Sequence, residues 1–444
     1  MLDLERQDEE PLLAPIMHSG RGFWLLAACA GLLGFAGLAA WLVQLRRGLS
    51  VTGLNVPVYW GLYITHFVFF IGISHAGTLV SAILRLSNAE WRRPITRAAE
   101  VITVLVLFFG MGCILLDLGR PDRALFVLRH ANLRSPLLWD VISVTTYLAA
   151  STIYLYLPLI PDVALLRDRL PRRRWLYRPL AVGWTGTPRQ RRILHRAISV
   201  MAVLVIPIAV SVHTVVSWVF AMTVQPMWHS TIFGPYFVVG AIFSGIAAII
   251  LAMAIVRRAY RLEEYLKPIH FNNLGLLLLV MALLWFYFTF AEFLTTYYGA
   301  EPSHMAVFLS KTEGRFAGEF WTMIVACFVV PVALLARRRT RSTVWGTVVA
   351  ALSVEIGMWL ERFLIVVPSL SVPRLPMEAA PYAPSWVEWS LFTAFLAVFI
   401  LLYAVFTKLF PIVSIWEVRE GRERSVADVA RRVKSYLPGR ETVP

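Results

Sequence analysis

The chain has 444 residues, of which 58% are hydrophobic and only 16% charged, with a formal net charge of +15. A soluble domain carries about 25% charged residues and has no means of hiding this much apolar surface, so a soluble class is excluded. The basic excess sits in short clusters between apolar runs, which argues against a nucleic-acid-binding face and is how membrane topology is written.

A membrane-spanning helix needs about 20 apolar residues. In chain order such runs occur at 22–44, 57–85, 98–118, 136–158, 197–224, 234–256, 271–298, 317–336, 343–367 and 386–408. The reading is an all-α polytopic membrane protein of about ten transmembrane helices, with both termini on one side. Of the 42 lysines and arginines, 32 fall on the side of the termini (side A) and 9 on the opposite side (side B), while Arg362 lies within a span. That asymmetry makes side A cytoplasmic. It also makes 161–196, with Arg172, Arg173 and Arg174, a basic cytoplasmic loop and 411–444 a polar cytoplasmic extension. The N-terminus is polar and acidic, and no cleavable signal peptide is expected. Cys29, Cys113 and Cys327 each lie alone in an apolar run, which excludes a CxxC-type metal or iron–sulfur site and suits small buried hydrophobes.

A weak internal repeat lays the second run on the sixth at an offset of 173, pairing Gly61 with Gly234, Tyr63 with Tyr236, Phe70 with Phe243 and Arg85 with Arg258. Both segments start on side B, as in a parallel repeat about an axis normal to the membrane. The implied plan is two four-helix bundles, spans 2–5 and 6–9, with spans 1 and 10 peripheral. The corresponding divisions are 1–56, 57–224, 225–367 and 368–444.

Ionisable residues inside a span cost about 2.5–3.5 kcal/mol each on insertion scales and are functional candidates. Tyr59, Tyr63 and His66 are spaced i, i+4, i+7 and share one face if the helix is regular. Asp117 ends the third span in Leu116-Asp117-Leu118-Gly119-Arg120-Pro121, and the fourth enters at Trp139-Asp140, so His66, Asp117, Arg120 and Asp140 gather towards side B. Two carboxylates and a histidine suit the removal of two protons from a quinol, with Arg120 holding the carboxylates ionised. Tyr59, Tyr63, Arg120 and Trp139 would then line the quinol. The alternative is that both acids merely cap helices or pair with neighbouring arginines. From Asp140 a polar stripe, Ser143, Tyr147, Ser151 and Tyr154, runs along one helix face towards side A. It suits a proton wire and equally suits inter-helix hydrogen bonding. His75, His213, Glu292 and Glu355 are further intramembrane candidates for a proton path. His66 and His75 point to opposite faces, and Arg362 is expected to pair with Glu355 or Glu361.

The runs Gly72-Ile73-Ser74-His75-Ala76-Gly77-Thr78, Leu118-Gly119-Arg120-Pro121, Ser135-Pro136-Leu137-Leu138-Trp139-Asp140, Ser211-Val212-His213-Thr214, Trp228-His229-Ser230-Thr231 and Tyr236-Phe237-Val238-Val239-Gly240 occur in this order over about 50–410. Together they resemble the polysulfide-reductase-type (NrfD-like) membrane subunits, and most of all the large membrane subunits of alternative complex III. The resemblance implies a quinone or menaquinone substrate bound at the periplasmic end of the first bundle and no haem or metal in this chain. The implied setting is the bacterial inner membrane. The implied partners are a periplasmic iron–sulfur or molybdopterin-type subunit, multihaem or monohaem cytochrome c subunits, a paralogous membrane subunit and lipid, with no nucleic acid. Those relatives often have a histidine where this chain has Asp117, so the chain is either the quinol-oxidising subunit or its paralogous partner. A dihaem cytochrome b, a secondary transporter and a passive membrane anchor are the competing classes. The first is short of paired histidines, and the second lacks clear Gly/Pro-broken midplane helices.

Overall fold

The computed structural model describes residues 2–373 and 380–422, with the side chains of 2–9 and of Ala76 left aside. The described residues form helices and connecting turns only. In order, the main helices are α1 (Leu2–Met17), α2 (Arg21–Arg47), α3 (Leu62–Ile73), α4 (His75–Leu86), α5 (Thr96–Asp117), α6 (Pro136–Arg169), α7 (Pro188–Ala221), α8 (Phe233–Ala259), α9 (Pro268–Gly299), α10 (Pro302–Thr312), α11 (Ala317–Leu335, with a π turn at Val325–Val329), α12 (Val344–Ser371) and α13 (Trp386–Leu409). Nine spans among the described residues, counting α3 and α4 as one, are long and apolar enough to cross a membrane. The remaining expected span is α12. It is a 28-residue helix that carries Glu355, Glu361 and Arg362 and packs between α8, α3 and α11.

Local chemistry sets the helix ends. Proline occupies the first turn of α6, α7, α9 and α10, where a missing N–H costs nothing. Thr187 with Gln190 and Ser385 with Glu388 close capping boxes on α7 and α13. The segment 161–196, expected as a loop, is mostly helix: α6 runs on to Arg169 and α7 begins at Pro188. Arginines end α6 because cations suit the negative end of a helix dipole. Of the tail 411–444, residues 423–444 lie outside the described residues. Cys113 and Cys327 are buried, whereas Cys29 is exposed on α2.

Helices α3–α7 pack on one another, and so do α8, α9, α11 and α12, with α8 and α12 against α3 and α4 between the two groups. Helix α2 lies along α13, where a Cβ on Gly37 would come within 2.2 Å of the Ala394 methyl. Small residues permit this approach, which dispersion then stabilises.

The second span is not continuous. At its middle, the Gly77 N–H donates to Thr103 Oγ1 (3.0 Å), and the Ser74 carbonyl accepts from Thr103 (2.7 Å) and Tyr147 (3.0 Å). Side chains from α5 and α6 thus replace rungs of the helix ladder. A Cβ at Gly77 would meet the Ala99 carbonyl oxygen at 1.9 Å, so only glycine admits α5 here. Gly77→Ala is expected to destabilise the purified protein by about 1–3 kcal/mol through overpacking, read as a lowered Tm. An unchanged Tm would show that the interlock gives way freely.

On side A the chain end returns across the first helix group. Arg97 and Asp162 form a fully buried ion pair. Arg97 also donates to the Pro158 carbonyl (2.8 Å) and Ser414 Oγ (3.0 Å), while Asp162 accepts from the Ile415 and Trp416 amides (3.1 and 2.9 Å). Glu417 sits between Arg85 and Arg92. Burial alone would raise its carboxyl, but the two guanidiniums hold it down to about 2.

Candidate functional site

The side-B end is built where α2, α3, α5 and α13 meet. Tyr63 donates to Gln44 Oε1 (2.6 Å), and Gln44 Nε2 donates to the Leu116 carbonyl (2.8 Å). Asp117, the next residue, lies within electrostatic range of Tyr63 and Glu388. Glu388 accepts from Tyr382 OH (2.6 Å) and from the Gly53 and Ser385 amides (2.7 and 2.8 Å). Asp117 Oδ1 is buried and takes no partner among the described residues. Gln44, Tyr382 and Glu388 escape a reading of the sequence, although a polar Gln44 in an apolar span and the Ser385–Glu388 cap are visible signals.

Asp140 is 5% exposed, and its buried Oδ1 is likewise unpartnered among the described residues. Among those residues no hydrogen bond or ion pair joins Asp117, Asp140 and His66. His66 instead lies flat on Phe392, 3.7 Å between ring centroids, with Trp359 at 6.0 Å. Arg120 corrects another expectation. It is 63% exposed and bonded to Asp122 (2.9 and 3.0 Å), because a partner two residues away is reached without desolvation. It therefore does not hold Asp117 or Asp140 ionised. Tyr59 precedes α3 and is 53% exposed, so the shared face is not formed at that position. Trp139 is half-buried and donates its Nε1–H to the Leu133 carbonyl (2.7 Å).

The polar stripe is inward-facing. Ser143 donates to the Asp140 carbonyl (3.0 Å), and Tyr147, Ser151 and Tyr154 are all buried. Tyr147 reaches the Ser74 carbonyl (3.0 Å), Thr78 donates to Ser151 (3.2 Å), and Ser81 touches Tyr154 (3.4 Å) and donates to Glu100 (2.8 Å). Glu100 is 2% exposed and does not stand out in the sequence, since it sits near the span's end where an acid looks solvated. Beyond it lie Arg85 and Glu417. His75 and His213 face each other with centroids 3.6 Å apart, and Tyr147 is 5.7 Å from His75.

The second helix group carries a separate cluster. Arg362 pairs with its neighbour Glu361 (2.9 Å), which also accepts from Trp285 Nε1 (3.3 Å). Glu355 makes no such pair among the described residues. Glu292 accepts from Ser230 (2.7 Å) and, with Lys311, Tyr236 and Glu361, lines a small cavity. Burial pushes the Lys311 ammonium down to about 8, opposed by Glu292 and Glu361. Among the described residues no group of three or more His, Cys, Asp or Glu is placed to hold a metal ion.

Residues 50–374 match the family model described as polysulphide reductase, NrfD. The chain is 30% identical over 392 residues (86% of this chain, 84% of the relative) to a putative dimethyl sulfoxide reductase membrane subunit of Halobacterium salinarum. It is 24% identical over 405 residues to a selenate reductase subunit of Mesobacillus selenatarsenatis, covering 86% and 92% of the two chains. It is also 24% identical over 406 residues to an Hdr-like menaquinol oxidoreductase integral membrane subunit of Archaeoglobus fulgidus, covering 88% and 92%. With its helical spans and a match over most of its length, the chain belongs to the NrfD polysulphide reductase family of membrane subunits.

Proposed function

We propose that this chain is the quinol-binding membrane subunit of a respiratory oxidoreductase complex, inactive alone, and of the same kind as the large membrane subunits of alternative complex III. Quinol is oxidised at side B, taken as periplasmic, with Asp117 and Asp140 as proton acceptors and Tyr63 near Asp117. Electrons pass to an iron–sulfur partner that cytochrome c subunits or a paralogous membrane subunit accompany. Menaquinol is the substrate class that the likeness to the Archaeoglobus menaquinol oxidoreductase subunit supports. The observation that carries the reading is Asp140: a buried carboxyl whose Oδ1 has no partner among the described residues, on the helix whose buried hydroxyls continue to Glu100. That same line supports proton translocation and keeps the paralogous proton-conducting subunit as second reading. The divisions 57–224 and 225–367 are proposed as the two bundles, between peripheral segments 1–56 and 368–444.

Quinol oxidation by the purified complex containing this chain tests the reading. A complex that neither retains quinone nor oxidises quinol sinks it. Sidedness has its own test: reporters fused at Arg174 and Asn132 are expected inside and outside the cytoplasmic membrane respectively. An external Arg174 reporter would invert the site.

A further inference from the structure

A cavity of about 1080 Å³ lies away from the Asp117–Asp140 end. It opens between the two helix groups and is closed by α13 and the start of α2. Phe69, Phe70, Trp359, Phe392, Phe399 and Tyr403 supply aromatic wall, and small or branched residues such as Ala248, Leu251 and Leu352 supply the rest. Behind Phe392 stands the stacked ring of His66. At the side-A mouth, Lys408 is already committed to the Pro15 and His18 carbonyls (2.9 and 2.8 Å).

One acid lines this apolar space. Both carboxyl oxygens of Glu355 are buried, and neither has a hydrogen-bond partner among the described residues. Glu355 stands eleven residues beyond Val344, about 16 Å along the helix at 1.5 Å per residue, and so at mid-membrane depth. A buried polar group without a partner is costly, and hydrocarbon offers it none. An acyl chain of a phospholipid would fill the cavity yet leave Glu355 unsatisfied, because the lipid's polar groups stay at the interface. A quinol meets all three demands: a flat ring for the aromatic wall, a hydroxyl for the carboxyl group and an isoprenoid tail for the aliphatic remainder.

We propose that this cavity is a second quinol site, in which a ring hydroxyl donates to Glu355 and the isoprenoid tail occupies the groove between the helix groups. It is a binding site, and no redox step is assigned to it. The inference rests on the reading that the chain handles quinol.

Photolabelling of the assembled complex with an azido-quinol analogue, mapped by peptide mass, tests it. Adducts are expected on the segments carrying Trp359 and Phe392 as well as at the side-B end. Glu355→Leu removes the acceptor and puts an apolar residue in a membrane helix, so it favours folding. It is expected to lower cavity labelling by up to about tenfold, the loss of one hydrogen bond. Glu355→Gln, whose amide oxygen still accepts, should retain more label than Glu355→Leu, and Ala252→Trp, which fills the cavity, should abolish it. Labelling confined to the Asp117–Asp140 end, labelling unchanged in Glu355→Leu, or a phospholipid recovered in place of the label would overturn the second site while leaving the quinol function standing. No label anywhere, together with no quinol oxidation, would remove both.

Discussion

Asp140→Asn or Asp117→Asn is expected to lower quinol oxidation per assembled complex by at least about 10²-fold, the lower end of a general base's contribution. Each oxidised hydroxyl needs a proton acceptor, and at side B the buried acids with a free oxygen among the described residues are these two. Asparagine keeps the shape and removes the base. Asp140 is the stronger candidate because its helix carries the hydroxyls that continue to Glu100. Asp117 lies beside Glu388, whose own oxygens are fully engaged by Tyr382, Gly53 and Ser385. Turnover is measured with Glu263→Gln, an exposed acid remote from the site, as control. Wild-type turnover in both Asn variants would remove proton acceptance from these residues. Loss of assembly at unchanged turnover per intact complex would make them helix caps.

Arg97→Leu should have the largest effect on folding. It leaves Asp162 as a buried, uncompensated charge, and breaking a buried pair from one side costs about 3–5 kcal/mol. The Pro158 carbonyl and Ser414 lose their donor as well. The double variant Arg97→Leu/Asp162→Leu removes both charges and is expected to recover much of the folded yield, since an apolar pair in that volume carries no desolvation cost. Detergent-solubilised yield and Tm measure both. A single variant as stable as the wild type, or a double variant no better than the single, would deny the pair this role.

The spans were legible because membrane helices are written as apolar runs, and nine of them appear as such. Span α12 was legible as a further apolar run, although Glu355, Glu361 and Arg362 interrupt it. Helix ends were less legible: Arg167 and Arg169 read as loop, yet a helix can continue into water when its last turn is basic. Asp117, Asp140 and the hydroxyl stripe could be found because each is a polar residue in an apolar context. Their surroundings could not, since Gln44 and Glu388 near Asp117, and Ser81 with Glu100 at the end of the stripe, come from other helices across long stretches of chain. Arg120 shows the opposite failure: a sequence-adjacent Asp122 offered a local pair that helix-face reasoning did not weigh.

The return of the chain end over α4, α5 and α6 has a consequence for synthesis. Glu417 lies 332 residues beyond Arg85, and Ser414 lies 317 beyond Arg97. While the ribosome is still making the later helices, the earliest ones stand in the bilayer with their side-A guanidiniums lacking these counterparts. Their mature state is therefore reached only after the last span has been threaded. A nascent chain arrested before Pro411 would present that basic cluster to water, and its counterparts arrive only once residues 414–417 have been made.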